Sequence, residues 1–134
     1  MLKNKKGFTL VEIVIVIVII AILAAILVPN VVRWVDKARL ASLKSEADTV
    51  RNAVAAQILV EIKDGFDAKG ATQNDFGDDF WSELSEEVGK NVQCENANKD
   101  GYVTFTVGES GLIEFTYSSG GHTATYDGTT WEYE

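Results

Sequence analysis

The sequence predicts an α+β chain: one long N-terminal spine helix, then a C-terminal antiparallel β-meander packed on the outer half of that helix. Three observations carry this prediction. Residues 8–28 form an apolar run interrupted only by Thr9 and Glu12. Residues 31–63 contain neither Gly nor Pro and repeat apolar side chains at steps of three and four, the period of an amphipathic helix. From residue 102 onward, apolar and polar residues alternate in short segments separated by Gly-rich turns, the pattern of half-buried strands.

With 134 residues, 46% of them hydrophobic, the chain holds one domain and is too short for two ordinary ones. Its 12 basic and 20 acidic side chains give a net charge of −8. That balance opposes direct nucleic-acid binding, which needs clustered Lys and Arg to displace counterions. Cys94 is the single cysteine and His122 the single histidine. An intrachain disulfide, a zinc site or a cysteine–histidine hydrolase would therefore need residues from another chain. No cofactor is expected, and no catalysis by the chain itself.

The apolar run comes first. At 1.5 Å per residue its 21 residues give a helix of roughly 31 Å, the hydrocarbon thickness of a bilayer. Its Val and Ile content suits a strand, but a strand of that length is improbable, and lipid forces the backbone into a helix. A cleavable secretory signal fits poorly. Cutting after Ala24 or Ala25 places Ile22 or Leu23 where a small residue is wanted. Glu12 also needs a reason to lie within the run, because an acidic residue there costs about 1–3 kcal/mol depending on depth. Lys3, Lys5 and Lys6 on one side face Arg33, Lys37, Arg39 and Lys44 on the other, so charge alone leaves the orientation open.

The segment Lys6-Gly7-Phe8-Thr9-Leu10-Val11-Glu12, followed by the apolar run and Pro29, resembles the N-terminal signature of type IV pilins and pseudopilins. The resemblance covers residues 1–60 and carries no motif in the remainder. It implies a pilin-like fold and a leader, residues 1–7, removed by a prepilin peptidase/N-methyltransferase that cuts between Gly7 and Phe8 and methylates the new amine of Phe8. Gly7 leaves the scissile bond uncrowded, and the short basic leader keeps it at the cytoplasmic surface. Glu12, fifth in the processed chain, corresponds to the acidic residue thought to meet the N-terminal amine of a neighbouring subunit, and an ammonium partner makes a buried carboxylate tolerable.

The resemblance further implies partners. These are copies of the chain in a filament, other pilins, an inner-membrane assembly platform, and the membrane itself before assembly. Localisation would be the cytoplasmic membrane, single-pass with the head outside, then an extracellular pilus or a cell-envelope pseudopilus. A type IV pilus serving adhesion, twitching motility or DNA uptake is the first reading. A pseudopilin of a type II secretion or competence system is the second, although the Tyr-Pro-Thr segment usual in major secretion pseudopilins is not found after the helix. A monomeric membrane-anchored acidic binding module is the rival from another class.

Residues 8–28 form the membrane and assembly half of the spine, and residues 29–63 the amphipathic half. Pro29 lacks a backbone donor and should kink or locally open the helix, or else end its membrane part. Leu40, Leu43, Ala47, Val50, Val54, Ile58 and Ile62 form the stripe that faces the sheet, with Asp36–Arg39, Lys44–Asp48 and Asp48–Arg51 as opposite-sign neighbours on other faces. As one helix, residues 8–62 reach roughly 80 Å, more than a domain of this size encloses, so the first half must be covered by membrane or other subunits. Trp34 marks either a membrane interface or a subunit contact.

Beyond residue 63 the charge changes, with 3 basic residues against 15 acidic ones. Asp64-Gly65 ends the helix. Residues 64–101 are a connection: an exposed loop over 64–78, then a short helix capped by Asp79, with Phe80, Leu84 and Val88 on one face and Gly89 as its stop. Asn96, Asn98 and Asp100 resemble the opening of a calcium loop. However, the twelfth position is Val107 in place of a bidentate Glu. This weak candidate is set beside an ordinary loop. Residues 102–134 supply four strands joined by tight turns, an antiparallel sheet head. Cys94 is read as a free thiol or an intersubunit bridge, and His122 as a solvated turn residue.

Overall fold

A computed structural model describes residues 6–95, 99–109 and 111–134. Its elements are α1 (Leu10–Lys63), a short 3₁₀ turn (Gln73–Asp75), α2 (Asp78–Val88), β1 (Tyr102–Gly108), β2 (Gly111–Ser119), β3 (His122–Tyr126) and β4 (Trp131–Tyr133). The chain divides into two compact units, Met1–Ala38 and Arg39–Glu134.

In the first unit the helix is apolar all round from Ile13 to Val28. Every large apolar side chain from Phe8 through Val35 is at least 43% exposed. Helical assignment continues through Pro29, so the proline does not end the helix. Its missing N–H leaves the Ala25 carbonyl without the usual i+4 donor. One residue on, the Asn30 side-chain amide donates to the Ile26 carbonyl at 3.1 Å.

The second unit is built on the outer half of α1. Leu43, Ala47, Val50, Ala53, Val54, Gln57 and Ile58 are buried, the expected stripe with two additions. Ala53 is small enough to lie under the head, and buried Gln57 donates to the Glu83 carboxylate on α2. Ile62 corrects the expected stripe: it is 44% exposed, because the head covers α1 only as far as Ile58. The helix ends as Asp64-Gly65 predicts. Gly65 has φ +101°, its N–H reaches the Ile62 carbonyl, and the Phe66 N–H reaches that of Glu61, the paired bonds of a left-handed helix stop.

The sheet is an antiparallel meander in the order β1-β2-β3-β4. Val103, Phe105, Val107, Phe115, Tyr117 and Ala124 point inward and join the α1 stripe, Phe80 and Leu84 of α2, and Val92 in one core. Thr104, Thr116 and Thr125 stand opposite one another on the outer face. The free edge of β1 is closed by the connection: the Val107 N–H bonds the Ala71 carbonyl, the Val103 N–H bonds the Gln93 carbonyl, and the Phe105 N–H bonds the Gln73 side chain. An edge covered in this way offers no template for strand addition.

The structure corrects three further expectations. Residues 64–78 are not simply an exposed loop, since Ala68, Ala71 and Phe76 are buried and Phe76 stacks within 4.4 Å of Phe80 and 5.4 Å of Phe105, centroid to centroid. The α2 N-cap is Gly77, with Asp78 and Asp79 in the first turn where they complement the helix dipole; Gly89 stops the helix as expected. In the head, Lys44 and Arg51 form no ion pair with Asp48. Instead Lys44 lies 4.7 Å from the Tyr133 ring centroid and Arg51 lies 4.3 Å from that of Tyr126. The sheet brings aromatic faces over these cations, where cation–π attraction replaces a weak surface pair.

Candidate functional site

The site residues at the N-terminus lie around the start of α1. Lys6 and Gly7 precede the helix, and Phe8 is 85% exposed. A side chain built at Gly7 would meet nothing within 4 Å, and its φ lies outside the left-handed range that favours glycine. Nothing in the fold requires glycine at this position.

Thr9 begins the helix with a reciprocal cap. The Glu12 carboxylate accepts from the Thr9 N–H at 2.8 Å and from its hydroxyl at 3.1 Å, while the Glu12 N–H donates back to the Thr9 hydroxyl at 3.2 Å. Two orphan donors of the first turn are thus satisfied, and a negative charge lies at the positive end of the helix dipole. Sequence reasoning read Glu12 but missed Thr9. The spacing Thr-x-x-Glu ahead of an apolar run was the available signal.

The remaining candidates are not brought to this place. Pro29 lies 17 residues beyond Glu12 on α1, and Trp34, further on, is 73% exposed. Of the calcium-loop residues, Asn96 and Asn98 lie outside the described residues. The Asp100 carboxylate accepts the Gly120 N–H at 2.7 Å and holds the β2–β3 turn, which occupies an oxygen a cation would need. Among the described residues no three His, Cys, Asp or Glu side chains converge as metal ligands. Half-buried Cys94 is free, and burial pushes its thiol pKa up, which disfavours the nucleophilic thiolate. The His122 Nδ1 lies 3.2 Å from the Glu134 carbonyl at the start of β3.

The first half of α1 is long and apolar enough to cross a membrane: its most apolar window has mean hydropathy 3.4 with none of it buried. An apolar side chain left in water forgoes about 1.5–3 kcal/mol of burial energy, so lipid or protein must cover this surface. The head has a separate polar cluster. The Lys90 ammonium reaches the Glu46 carboxylate and the Ser119 hydroxyl, both at 2.9 Å, and the Tyr117 hydroxyl donates to the same Glu46 oxygen at 3.1 Å. It ties α1, β2 and the α2–β1 connection together and includes no open nucleophile.

Comparison with known proteins agrees with the N-terminal geometry. The prokaryotic N-terminal methylation motif matches residues 2–28. The chain is 36% identical over 101 residues to the type II secretion system core protein G of Pseudomonas aeruginosa, an overlap covering 75% of this chain. It spans 64% of the length of that relative. No solved structure matches the chain at a significant level.

Proposed function

We propose, from the match of residues 2–28 to the prokaryotic N-terminal methylation motif, that this chain is a structural subunit of a secretion-type pseudopilus. The observation that carries this reading is an apolar helix uncovered by its own chain and headed by Gly7, a glycine that the fold does not require. Such a residue is explained by an enzyme that reads the bond after it. In this reading residues 1–7 are the leader, and residues 8–28 anchor the subunit in the membrane and then bundle with other copies. Residues 29–63 are the amphipathic half of the spine, residues 64–101 the connection and residues 102–134 the sheet head.

A prepilin peptidase cuts between Gly7 and Phe8 and methylates Phe8. The methylated amine stays cationic and meets the Glu12 carboxylate of a neighbour, which the Thr9 cap holds in place. Pro29 relaxes the helix as it moves from lipid to filament. Pilins of other kinds and an assembly platform in the inner membrane complete the set of partners. The sequence alone favoured a pilus subunit. The likeness to a secretion protein extends well beyond the shared motif, over 101 residues, and turns the reading to the pseudopilin.

Intact mass of the chain from cell envelopes tests the processing step. A mature start at Phe8 bearing one added methyl group is expected, and a start elsewhere would sink the reading. Glu12→Ala should insert and fold normally yet fail to enter filaments, so normal polymer yield would remove the amine pairing. Electron microscopy of sheared surface material separates the two filament types. Short envelope-bound filaments support the pseudopilus, whereas long surface fibres containing this chain would restore the pilus.

A further inference from the structure

We propose that a groove in the head seats residues 27–38 of a second copy of this chain, with Trp34 as the inserted side chain. The proposal rests on the filament reading above and adds to it a specific contact between head and spine of different copies. The groove, about 720 Å³ in volume, lies between the last turns of α1 and the β1–β2 turn. Ile58, Leu59, Ile62, Phe66, Val107 and Leu112 form its apolar walls. Leu59 is 65% exposed and Ile62 44% exposed, so the apolar surface of α1 continues past the point where the head stops covering it. At the rim Asp67 and Glu109 supply two carboxylates, against one ammonium from Lys69, which is already paired with Glu109.

The occupant that fits is a helix with an apolar face and a basic flank, since grooves of this kind take amphipathic helices and charge fixes their register. This chain contains such a segment. Leu27, Val31, Trp34 and Ala38 follow one another at steps of four, three and four, and Arg33 and Lys37 lie on one side of that stripe. Trp34 is 73% exposed, and neither cation has a carboxylate within ion-pair distance among the described residues. A tryptophan is the side chain best suited to fill an apolar groove, because it buries about 150–250 Å² and keeps one polar N–H for the rim. A free acyl chain or small apolar ligand would leave the acidic rim unused.

The test is photo-crosslinking of the full-length chain in native envelopes, with a benzophenone amino acid placed at position 34 or, as a reference for copy-to-copy proximity, at position 19. The expected result is a covalent dimer from both positions, with the position-34 adduct mapped by mass spectrometry to residues 58–69 or 107–112. Leu59→Glu should lower the position-34 yield by about tenfold, while the thermal midpoint of the head is unchanged. If position 19 gives dimers but the position-34 adducts map elsewhere, to lipid or to another protein, the groove contact is overturned and the filament reading stands. The same follows if Leu59→Glu leaves the yield intact. Absence of dimers from both positions would overturn both.

Discussion

Gly101 sits at the mouth of β1 with φ +84°, and a Cβ built there would lie 2.0 Å from the Asn91 carbonyl oxygen. Its own N–H bonds the Ser118 carbonyl at 2.8 Å, so the backbone cannot retreat without breaking the β1–β2 register. Gly101→Ala therefore combines a left-handed strain with an overlap against backbone and should cost roughly 2–4 kcal/mol, read as a lowered urea midpoint. The Glu46–Lys90 pair works on a smaller scale because both side chains are about one-third exposed. Burial is the largest single influence and opposes the charge on Glu46, but the hydrogen bonds from Lys90, Ser119 and Ser42 together with the Lys90 charge outweigh it, and the carboxyl is held below its ordinary pKa. Lys90 is likewise opposed by burial and raised by Glu46. The Glu46 contribution is thus complete above the ordinary carboxylate range and fades as pH falls through the lowered native value, while that of Lys90 fades only in strong alkali. Glu46→Gln should cost about 0.5–1.5 kcal/mol near neutral pH after allowance for solvent screening. Denaturant titrations at pH 7 and pH 3 should show that difference shrinking in acid. The sequence ahead of Gly101 read as a loop and did not show the approach of Asn91, since that contact depends on how the preceding connection folds back.

At the scale of elements, α1 shows what periodicity reveals and where it fails. The stripe from Leu43 through Ile58 was readable because a helix that buries one face must repeat apolar residues every three or four positions. Where the cover stops was not readable, because the cover comes from strands more than 40 residues away in sequence. The same distance hid the rings of Tyr126 and Tyr133, which take up Arg51 and Lys44 in place of the helical ion pairs. The strands were legible throughout, since their Gly-containing turns break the alternation at each reversal. The connection over 64–78 was misread because it carries few apolar residues, although Ala68, Ala71 and Phe76 suffice to anchor it in the core. The boundary can be measured. Leu43→Ala, at a side chain 2% exposed, should lose about 2–5 kcal/mol. Leu59→Ala, at a side chain 65% exposed on the same half of the helix, should change stability by less than about 0.5 kcal/mol, seen as unaltered urea unfolding.

At the scale of the whole molecule, a mean hydropathy of +0.03 conceals two solvents. The buried core lies entirely within Arg39–Glu134, from Leu43 to Ala124, and no residue of the apolar run takes part in it. The apolar run was the most legible part of the sequence for the same reason: its requirement is a nonpolar surrounding and no particular partner in its own chain. The N-terminal motif was equally legible because its residues are contiguous in the sequence and match a known motif over residues 2–28. A sharp expectation follows. A chain beginning at Arg39 keeps the whole core, lacks the Trp34 segment and has a net charge of −11, enough to keep small domains apart in solution. It should fold cooperatively, remain soluble without detergent and sediment as a monomer even at high concentration. The chain beginning at Phe8 should need detergent or lipid and self-associate when these are withdrawn, because the added residues bring large apolar side chains that its own fold leaves at least 43% exposed. Circular dichroism and sedimentation velocity on the two chains decide the matter. If the shorter chain lost its thermal transition, the spine would be part of the folding unit; if it self-associated as strongly as the longer one, the head would be the principal assembly surface.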